Sequence, residues 1–275
     1  MVKYKRIVVF GGGGSIGSEI VRQLCVNNRV YIFDINETAV FSLAEELKQA
    51  GYWVEGMIGD IRDRDTVRNL FTTFKPQIIV NAAALKHVTP SQIYPREYVT
   101  TNIVGHLNII EEARKLECFE KCIYISTDKA VADFKNVMGA TKMCSETIQK
   151  SMGKGFIAVR FGNVMGSRGS LLEIWKRQFE NGQPLTITDL RMKRYMMSIP
   201  DACKLVIKAL ELGKGGEVFC LNMGEQKEVI SLKNELYGDY PIRIIGIREG
   251  ESLEERLMTD DEILKAKKVE EFFII

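Results

Sequence analysis

The feature that most constrains the fold is the glycine-rich stretch GGGGSIGSE, which directly follows the apolar run RIVVF. It contains Gly12-x-Gly14-x-x-Gly17 and, in a second register, Gly11-x-x-Gly14-x-x-Gly17. Glycines at these places allow a tight turn, bring backbone N–H groups close to a diphosphate, and let the next helix pack against the sheet. The stretch therefore predicts a strand, a phosphate-binding loop and a helix in succession.

Short β-rich runs alternate with amphipathic segments of helical length along much of the chain. The predicted strands are Arg6–Phe10, Val30–Phe33, Trp53–Met57, Ile78–Asn81, Cys122–Ser126, Ile157–Arg160 and one near Val218–Leu221. The predicted helices are Ser15–Asn27, Ala39–Ala50, Arg64–Phe74, Val99–Lys115 and Gly139–Met152. This alternation predicts an α/β fold of the Rossmann type. Such a fold has a doubly wound parallel sheet, helices on both faces and a ligand crevice at the carboxyl ends of the strands.

Residues at the predicted strand ends suit a dinucleotide cofactor. Asp34 ends the second strand in YIFDIN, at the place where a carboxylate bonds a ribose 2′-hydroxyl, and no arginine follows at once to hold a 2′-phosphate. Small residues after the fourth strand leave room for a cofactor across the sheet edge. The predicted cofactor-binding residues are Gly11, Gly14, Ser15, Ile16, Gly17, Asp34, Asp60, Ile61, Ala82 and Ala83. NAD or NADP is expected, and the choice between them rests on Asp34 alone.

The alternation becomes irregular from about Asn163, which predicts a second and smaller unit. Residues 1–162, with about 201–222, are expected to form the NAD(P)-binding Rossmann domain. Residues 163–200 and 223–275 are expected to form a small substrate-binding lobe. The chain shows no internal repeat and no low-complexity linker.

Composition excludes several classes of function. The 38 basic and 36 acidic residues nearly balance, so the chain offers no basic face for nucleic acid or an anionic membrane. Its apolar runs are too short to span a bilayer or serve as a signal peptide. Six scattered cysteines, with only His87 and His106 as histidines, predict free thiols, a cytoplasmic location and no metal site.

Five motifs in order resemble the extended short-chain dehydrogenase/reductase superfamily: GGGGSIGSE, NAAALKHV, STDKAV, NVMGATK and FGNVMGSRGS. Within it the chain resembles the nucleotide-sugar 4,6-dehydratases that act on UDP-N-acetylglucosamine, and RYMMSIPDACKLV and IREGESLEERLMTDDE extend the likeness. The resemblance implies a lyase of surface-glycan biosynthesis that forms a UDP-4-keto-6-deoxy sugar. It also implies a tightly bound cofactor that is regenerated in each cycle, and a homo-oligomer.

The chain departs from the family pattern in three places. Met138 occupies the place of the usual catalytic tyrosine ahead of Lys142, as in some dehydratases of this subfamily. The segment ADFK between Val131 and Asn136 lacks the usual proline and is one residue longer. The C-terminal lobe is expected to be shorter between Glu228 and Ile242, and the domain is expected to lack preceding membrane segments.

The resemblance also implies roles for single residues. Asp128 would be the acid at C6 of the sugar, Lys129 the base at C5, and Lys142 would hold the cofactor ribose. Lys129 needs a lowered pKa to act as a base, and Lys86 is the cation expected to lower it. Met138 cannot accept the C4 hydroxyl proton, so Thr127 is hypothesised to relay it to Asp128 or to water.

Candidate substrate-binding residues lie along the rest of the chain. Arginine forks bind phosphate oxygens in two-point contacts, so Arg194 and Arg248 suit a UDP pyrophosphate or the uridine–ribose edge. The other candidates are Glu251 for ribose hydroxyls, Asn163 for phosphate or sugar, and Lys86 and His87 for the sugar pocket. His106 is expected to be structural.

Two alternative functions remain open. A 4-epimerase or reductase of the same superfamily would not need the acid–base pair at Asp128 and Lys129. A non-catalytic dinucleotide-binding regulator would explain the missing tyrosine. The C5 configuration of a dehydratase product, or release of a 5,6-unsaturated intermediate, also stays open.

Overall fold

The computed structural model describes residues 2–131 and 136–275. Its strands are, in chain order, β1 (Arg6–Phe10), β2 (Arg29–Asp34), β3 (Val54–Ile58), β4 (Ile78–Asn81), β5 (Lys121–Ile125), β6 (Phe156–Arg160), β7 (Asn163–Val164), β8 (Leu185–Ile187), β9 (Lys193–Arg194), β10 (Met196–Met197), β11 (Val218–Leu221), β12 (Lys227–Glu228), β13 (Ile242–Ile244), β14 (Lys267–Val269) and β15 (Phe272–Ile274).

The α-helices are α1 (Ser15–Cys25), α2 (Glu37–Gln49), α3 (Arg64–Phe74), α4 (Val88–Ile93), α5 (Pro95–Tyr98), α6 (Gly105–Ala113), α7 (Val137–Ser151), α8 (Leu171–Glu180), α9 (Ile199–Leu212), α10 (Val229–Tyr237) and α11 (Asp260–Lys265). A π-helical turn (Val99–Val104) precedes α6, and a 3₁₀ turn (Asp128–Ala130) follows β5. The single long helix predicted over Val99–Lys115 therefore begins as a π-helical turn.

Nine strands form one sheet in the order β14-β15-β11-β6-β5-β4-β1-β2-β3. The seven from β11 to β3 are parallel, and β15 and β14 add antiparallel pairs at the edge. All residues of β4, β6 and β11 are buried, as expected for parallel strands covered on both faces. The predicted Rossmann-type fold is confirmed.

Two apolar cores cover the two faces of the sheet. One includes buried residues of α1, α2 and α9, and the other includes those of α3 and α6. Chain order reverses at β1, which lies between β4 and β2. In such sheets a crevice opens at the carboxyl ends of the strands where the order reverses.

A smaller apolar core, distinct from those of the sheet, lies around Trp175 of α8. It includes Leu185 and Ile187 of β8 and Val229 and Leu232 of α10. Trp175 is fully buried, and its indole N–H donates to the Thr186 carbonyl at 2.8 Å. These elements come from the two segments that the sequence assigns to the small lobe.

The last residues of the chain differ from that assignment. Residues 267–274, predicted in the lobe, form β14 and β15 at the edge of the main sheet. Phe272 is fully buried and packs edge-on against Phe219 of β11. The domain boundaries stay a prediction; these residues join the main sheet because the apolar tail finds its core through a pairing distant in sequence, which a change in local periodicity does not indicate.

The cysteines match the prediction from composition. All six cysteines are free thiols. Within residues 2–131 and 136–275 no helix has the length and apolarity needed to cross a membrane. The same part of the chain contains no group of three or more His, Cys, Asp or Glu side chains placed to hold a metal ion.

Candidate active site

A cavity of about 610 Å³ opens at the carboxyl ends of the central strands. This volume lies in the range of small-molecule and cofactor sites. Motifs from distant parts of the chain meet in its wall. The lining includes Gly11, Gly14, Ser15, Ile16, Gly17, Ala82, Lys86, His87, Thr127, Lys129, Met138, Lys142, Asn163 and Arg168.

The glycine loop forms one end of this cavity. Gly11 has φ +71°, and a Cβ there would lie 2.6 Å from the backbone nitrogen of Ala83. A Cβ on Gly17 would lie 2.0 Å from the Gly11 carbonyl oxygen. Only glycine therefore lets the loop pass so close to the end of β4 and to its own helix. The N-cap of α1, Gly14, has no side-chain cap, so the first N–H groups of this 11-residue helix suit an anion.

Asp34 is held beside the loop at the end of β2. Its Oδ2 accepts from the Gly13 amide at 3.0 Å, and its Oδ1 accepts from the Asn36 amide at 2.9 Å. A carboxylate at this place suits ribose hydroxyls and repels a 2′-phosphate.

Asp60 and Ile61 are not part of the cavity wall. Burial raises the pKa of Asp60, but hydrogen bonds and charge from Arg62 outweigh it, so the pKa is lowered. Arg62 Nε donates to Asp60 Oδ2 at 2.7 Å. Ile61 is buried against the position of Gly105 at the start of α6.

Thr127, Asp128 and Lys129 form a hydrogen-bonded group just after β5. The Thr127 hydroxyl donates to Asp128 Oδ1 at 2.9 Å, and Lys129 Nζ donates to the same oxygen at 3.0 Å. Thr127 and Lys129 line the cavity, whereas Asp128 is 1% exposed and lies behind them. Asp128 Oδ2 is buried without a hydrogen-bond partner among the described residues.

Lys129 is surrounded by further oxygens from the lobe. Its Nζ donates to Asn163 Oδ1 at 3.2 Å and lies 3.5 Å from Glu255 Oε1. Burial lowers the pKa of Lys129, but Asp128 and Glu255 outweigh it and the pKa is raised. The resting site therefore holds an ammonium at neutral pH, and among the described residues the cation that opposes its charge is Arg194.

Lys86, predicted to be that cation, lies on another wall of the cavity. Its Nζ donates to the Arg168 carbonyl at 2.6 Å and to Ser167 Oγ at 3.3 Å. Burial and the Arg168 charge lower the pKa of Lys86. Arg168 in turn donates from its backbone to Ser15 Oγ at 3.0 Å and from its guanidinium to the Gly13 carbonyl. The SRGS segment thus joins the glycine loop to the LKHV segment.

Met138 and Lys142 project from the first turns of α7. The Asn136 side chain caps this helix by accepting from Gly139 N at 2.7 Å. Met138 is buried at the cavity wall. Lys142 Nζ donates to the Ile125 carbonyl and lies 4.2 Å from the centroid of the Tyr124 ring. Burial lowers the pKa of Lys142 to about 7, with Glu146 opposing.

His106 is fully buried beneath this group. The Asn81 Oδ1 accepts from Ala83 N at 3.1 Å, so the amide nitrogen faces His106 Nδ1 at 2.9 Å and donates to it. Burial and the charge of Lys142 lower the pKa of His106 to about 3. The imidazole is therefore neutral, in agreement with a structural role.

The two arginines proposed for phosphate do not line the cavity. Arg194 donates to the carbonyls of Lys193, Ser252 and Leu253 at 2.7–3.0 Å, so its fork is occupied by backbone. Arg248 and Glu251 lie in one turn, where Glu251 Oε2 accepts from Arg248 N at 3.2 Å. His87 and Asn163 do reach the cavity.

The comparisons with known proteins agree with this geometry. A family model described as polysaccharide biosynthesis protein matches residues 7–275. The chain belongs to the polysaccharide biosynthesis protein family.

Relatives of this family member are drawn from archaea and bacteria. A Methanocaldococcus jannaschii protein described as an uncharacterized membrane protein is 44% identical, over 99% of this chain and 86% of its own. A Staphylococcus aureus capsular polysaccharide biosynthesis protein is 40% identical over 94% of this chain, which spans only 46% of that relative. An inverting UDP-N-acetylglucosamine 4,6-dehydratase of Campylobacter jejuni is 33% identical, over 100% of this chain and 84% of the relative.

Other similarities connect the family member to a solved structure and to an epimerase. The X-ray structure of Pen from Bacillus thuringiensis has a TM-score of 0.91 at 35% identity, covering 99% of this chain and 88% of that one. A UDP-glucose 4-epimerase of Rickettsia canadensis is 31% identical, over 98% of this chain and 82% of the relative. These likenesses support the short-chain dehydrogenase/reductase fold.

Asn102 was not predicted from the sequence as a site residue. It lies in the π-helical turn, and its hydrogen bonds stabilise the cavity. Its side chain accepts from Leu85 N at 2.9 Å and donates to Leu85 O at 3.0 Å and to Thr141 Oγ1 at 2.9 Å. Its backbone carbonyl accepts from Ser145 Oγ at 2.7 Å. A buried amide in an apolar helical segment was the available signal.

Glu255 was also not predicted as a site residue, although it lies in the LEER part of the IREGESLEERLMTDDE segment. Its side chain is 10% exposed and lies between Lys129 and Arg194. No local pattern distinguishes it from the neighbouring Glu254, which extends outward to Lys193.

Proposed function

We propose that this protein is a nucleotide-sugar 4,6-dehydratase that converts UDP-N-acetylglucosamine to a UDP-4-keto-6-deoxy sugar for surface-glycan biosynthesis. The observation that carries the proposal is the group of Thr127, Asp128 and Lys129, which pairs a base on the cavity wall with an acid directly behind that wall. The 33% identity to a UDP-N-acetylglucosamine 4,6-dehydratase supports the same reaction.

The residues present fit a nicotinamide dinucleotide. The glycine loop has no room for side chains at Gly11 and Gly17, and its cavity continues to Thr127 and Lys142. When bound, the nicotinamide would accept a hydride from C4 of the sugar and return it to C6. Asp34 supports NAD over NADP, because a second negative charge beside its carboxylate is unfavourable. Lys142 is proposed to bind the cofactor ribose.

The protons of this reaction balance within the site. Oxidation at C4 releases the hydroxyl proton, and elimination removes the C5 proton while the C6 hydroxyl takes up a proton and leaves as water. When C6 gains its hydride, C5 gains a proton. Two protons are released and two are taken up, so the chain has to store and move protons but needs no other co-reactant.

Lys129 and Asp128 can supply both roles. In the resting site they form an ion pair with 3.0 Å between Nζ and Oδ1. The C4 hydroxyl proton passes to the Asp128 carboxylate and makes it the acid for C6, while Lys129 releases its ammonium proton to solvent and becomes the base for C5. Lys129 then returns the C5 proton when C6 gains its hydride, and takes up a proton from solvent at the end of the cycle. Because the groups interact strongly, they titrate as a pair.

Thr127 offers a route for the C4 hydroxyl proton. Its hydroxyl lines the cavity and donates to Asp128, so its oxygen can accept from a sugar hydroxyl. Met138 fills the place of the usual tyrosine with an apolar side chain. The relay through Thr127 replaces the tyrosine in this proposal.

Product analysis tests the proposal. Purified protein with NAD is incubated with UDP-N-acetylglucosamine and followed by proton NMR. The expected product has a ketone at C4 and a methyl group at C6, and Asp128→Asn should abolish it. The same spectra report the C5 configuration or a released 5,6-unsaturated product. Binding of NAD and sugar without turnover would overturn the proposal in favour of a regulator.

A 4-epimerase is the second candidate, favoured by the similarity to a UDP-glucose 4-epimerase. It would use Thr127 for the C4 proton and leave the acid–base pair without a function. Its product keeps the C6 oxygen and differs only in configuration at C4. The NMR experiment separates the two reactions directly.

The remaining expectations complete the proposal. The lobe around Trp175 would bind the nucleotide sugar, and the sheet domain the cofactor. A homo-oligomer in the cytoplasm stays a prediction, which sedimentation and cell fractionation test.

A further inference from the structure

Glu255 lies between two cations inside the protein. Its Oε1 is 3.5 Å from Lys129 Nζ and 3.8 Å from a guanidinium nitrogen of Arg194. Its backbone N–H donates to Gln226 Oε1 at 3.1 Å, which anchors the segment. The carboxylate therefore reaches the candidate site from a part of the chain distant in sequence.

Arg194 is fixed beside it. Three backbone carbonyls hold its guanidinium, and the side chain is 9% exposed. Without a carboxylate at position 255, this cation would face the Lys129 ammonium directly. Charges buried together need alternating signs, because an unpaired buried charge is costly.

Glu255 completes a set of three oxygens around the Lys129 ammonium. Asp128 Oδ1 and Asn163 Oδ1 accept from it at 3.0 and 3.2 Å, and Glu255 adds the third oxygen. The four groups then alternate in sign in the order Asp128, Lys129, Glu255, Arg194. Burial raises the pKa of Glu255, and the cations on either side of it oppose that rise. We propose that Glu255 is a positioning residue that holds the Lys129 ammonium beside Asp128 and keeps it charged until substrate binds.

The proposal rests on the proposed function for its catalytic consequence, since that function needs a free amine at Lys129. The other charged neighbours do not replace Glu255. Glu254 pairs with Lys193 at 3.0 Å, and Arg256 pairs with Asp260.

The direction of the effect follows from the charges that face Lys129. Burial and Arg194 lower its pKa, while Asp128 and Glu255 raise it. The Tyr195 hydroxyl contributes no charge at neutral pH, since burial raises its pKa. Glu255→Gln removes one raising group and leaves Arg194 in place, so the pKa of Lys129 should fall. At a pH below the pKa, each unit by which the pKa falls raises the free-amine fraction of Lys129 about tenfold.

The test measures the reactivity of Lys129 itself. Wild type, Glu255→Gln and the matched control Glu254→Gln are treated briefly with acetic anhydride at about pH 9. Peptide mass spectrometry then gives the acetylation rate of Lys129 relative to the exposed Lys176. The expected result is a rise of at least about tenfold in Glu255→Gln and no change in Glu254→Gln. An unchanged rate in Glu255→Gln overturns the proposal.

A second variant covers failure of Glu255→Gln to fold, which thermal melting reports. Glu255→Asp keeps the charge but withdraws it by one methylene, so a smaller rise in the Lys129 rate is expected. A rate equal to or below that of wild type would contradict the proposal. Because labelling needs no turnover, it stands apart from failure of the dehydratase proposal. If turnover is found, the acid limb of the kcat profile should also move to lower pH in Glu255→Gln.

Discussion

Two lysines face the same cavity, and their pKa values move in opposite directions. Burial lowers the pKa of Lys142 to about 7, and the Glu146 charge only partly opposes it. Burial acts on Lys129 in the same sense, but Asp128 and Glu255 outweigh it. The difference teaches that the neighbouring charges, not depth alone, decide which lysine is a cation at neutral pH.

The largest effect is expected from replacing Lys129, the lysine that is charged at neutral pH. Lys129→Met should reduce 4,6-dehydratase turnover by about 10⁴-fold, because both the base for C5 and the cation paired with Asp128 are lost. Binding of NAD, measured by calorimetry, should change little. Lys176→Met on an exposed helix is the control. Equal turnover in Lys129→Met and wild type would remove Lys129 from the chemistry.

Lys142 should change how the free energy of unfolding depends on pH. Its pKa is about 7 in the folded chain and about 10.4 unfolded, so the unfolded chain binds more protons between these values. The contribution of Lys142 to the free energy of unfolding therefore rises with pH over this window.

Lys142→Met removes that rise. The difference in unfolding free energy, mutant minus wild type, should be larger at about pH 6.5 than at about pH 9.5, by about 3 kcal/mol. Urea unfolding at the two pH values measures it, with the exposed Lys150→Met as control. A difference that does not depend on pH would mean that Lys142 titrates normally.

A smaller effect is expected at the hydroxyl that joins the cavity to Asp128. Thr127→Val keeps the shape but removes the proton route, so reduction of bound NAD after mixing with substrate should slow by about 10²-fold. Stopped-flow absorbance of the reduced nicotinamide measures it. Thr127→Ser retains the hydroxyl and should remain close to wild type. Unchanged transients in Thr127→Val would exclude the relay.

The smallest effect is expected at the residue without a titratable group. Met138→Leu preserves volume in a buried site, so turnover should stay within about threefold and stability within about 1.5 kcal/mol. Met143→Leu on the same helix provides the reference. A loss of turnover comparable to that of Thr127→Val would show that the thioether itself takes part.

Several site residues were predictable because their signal is local. The strand, glycine loop and helix around Gly14 follow from apolar patterning and from the need for residues without Cβ. The turn after β5 could be assigned to the cavity because parallel strands end at one edge. Asn163 and His87 reach the cavity for the same reason.

Arg194 and Glu255 were not predictable in this way. Their partners are backbone carbonyls and side chains from other segments, and short, irregular strands of the lobe bring them together. A free arginine fork and a buried one have the same sequence signal. The prediction that Lys86 would be the cation beside Lys129 failed, because motifs that occur together in a sequence need not place their side chains next to each other in the structure.

The sequence by itself determined the Rossmann-type sheet, the glycine loop and the place of Asp128 and Lys129 directly after β5. These depend on periodicity, on glycine and on residues adjacent in the chain. Only the tertiary structure decided that Glu255 and Arg194 complete the charges around Lys129, and that the tail forms β15 of the main sheet. The physical reason is that protonation and packing depend on distances between residues far apart in sequence, which folding sets and local patterns do not encode.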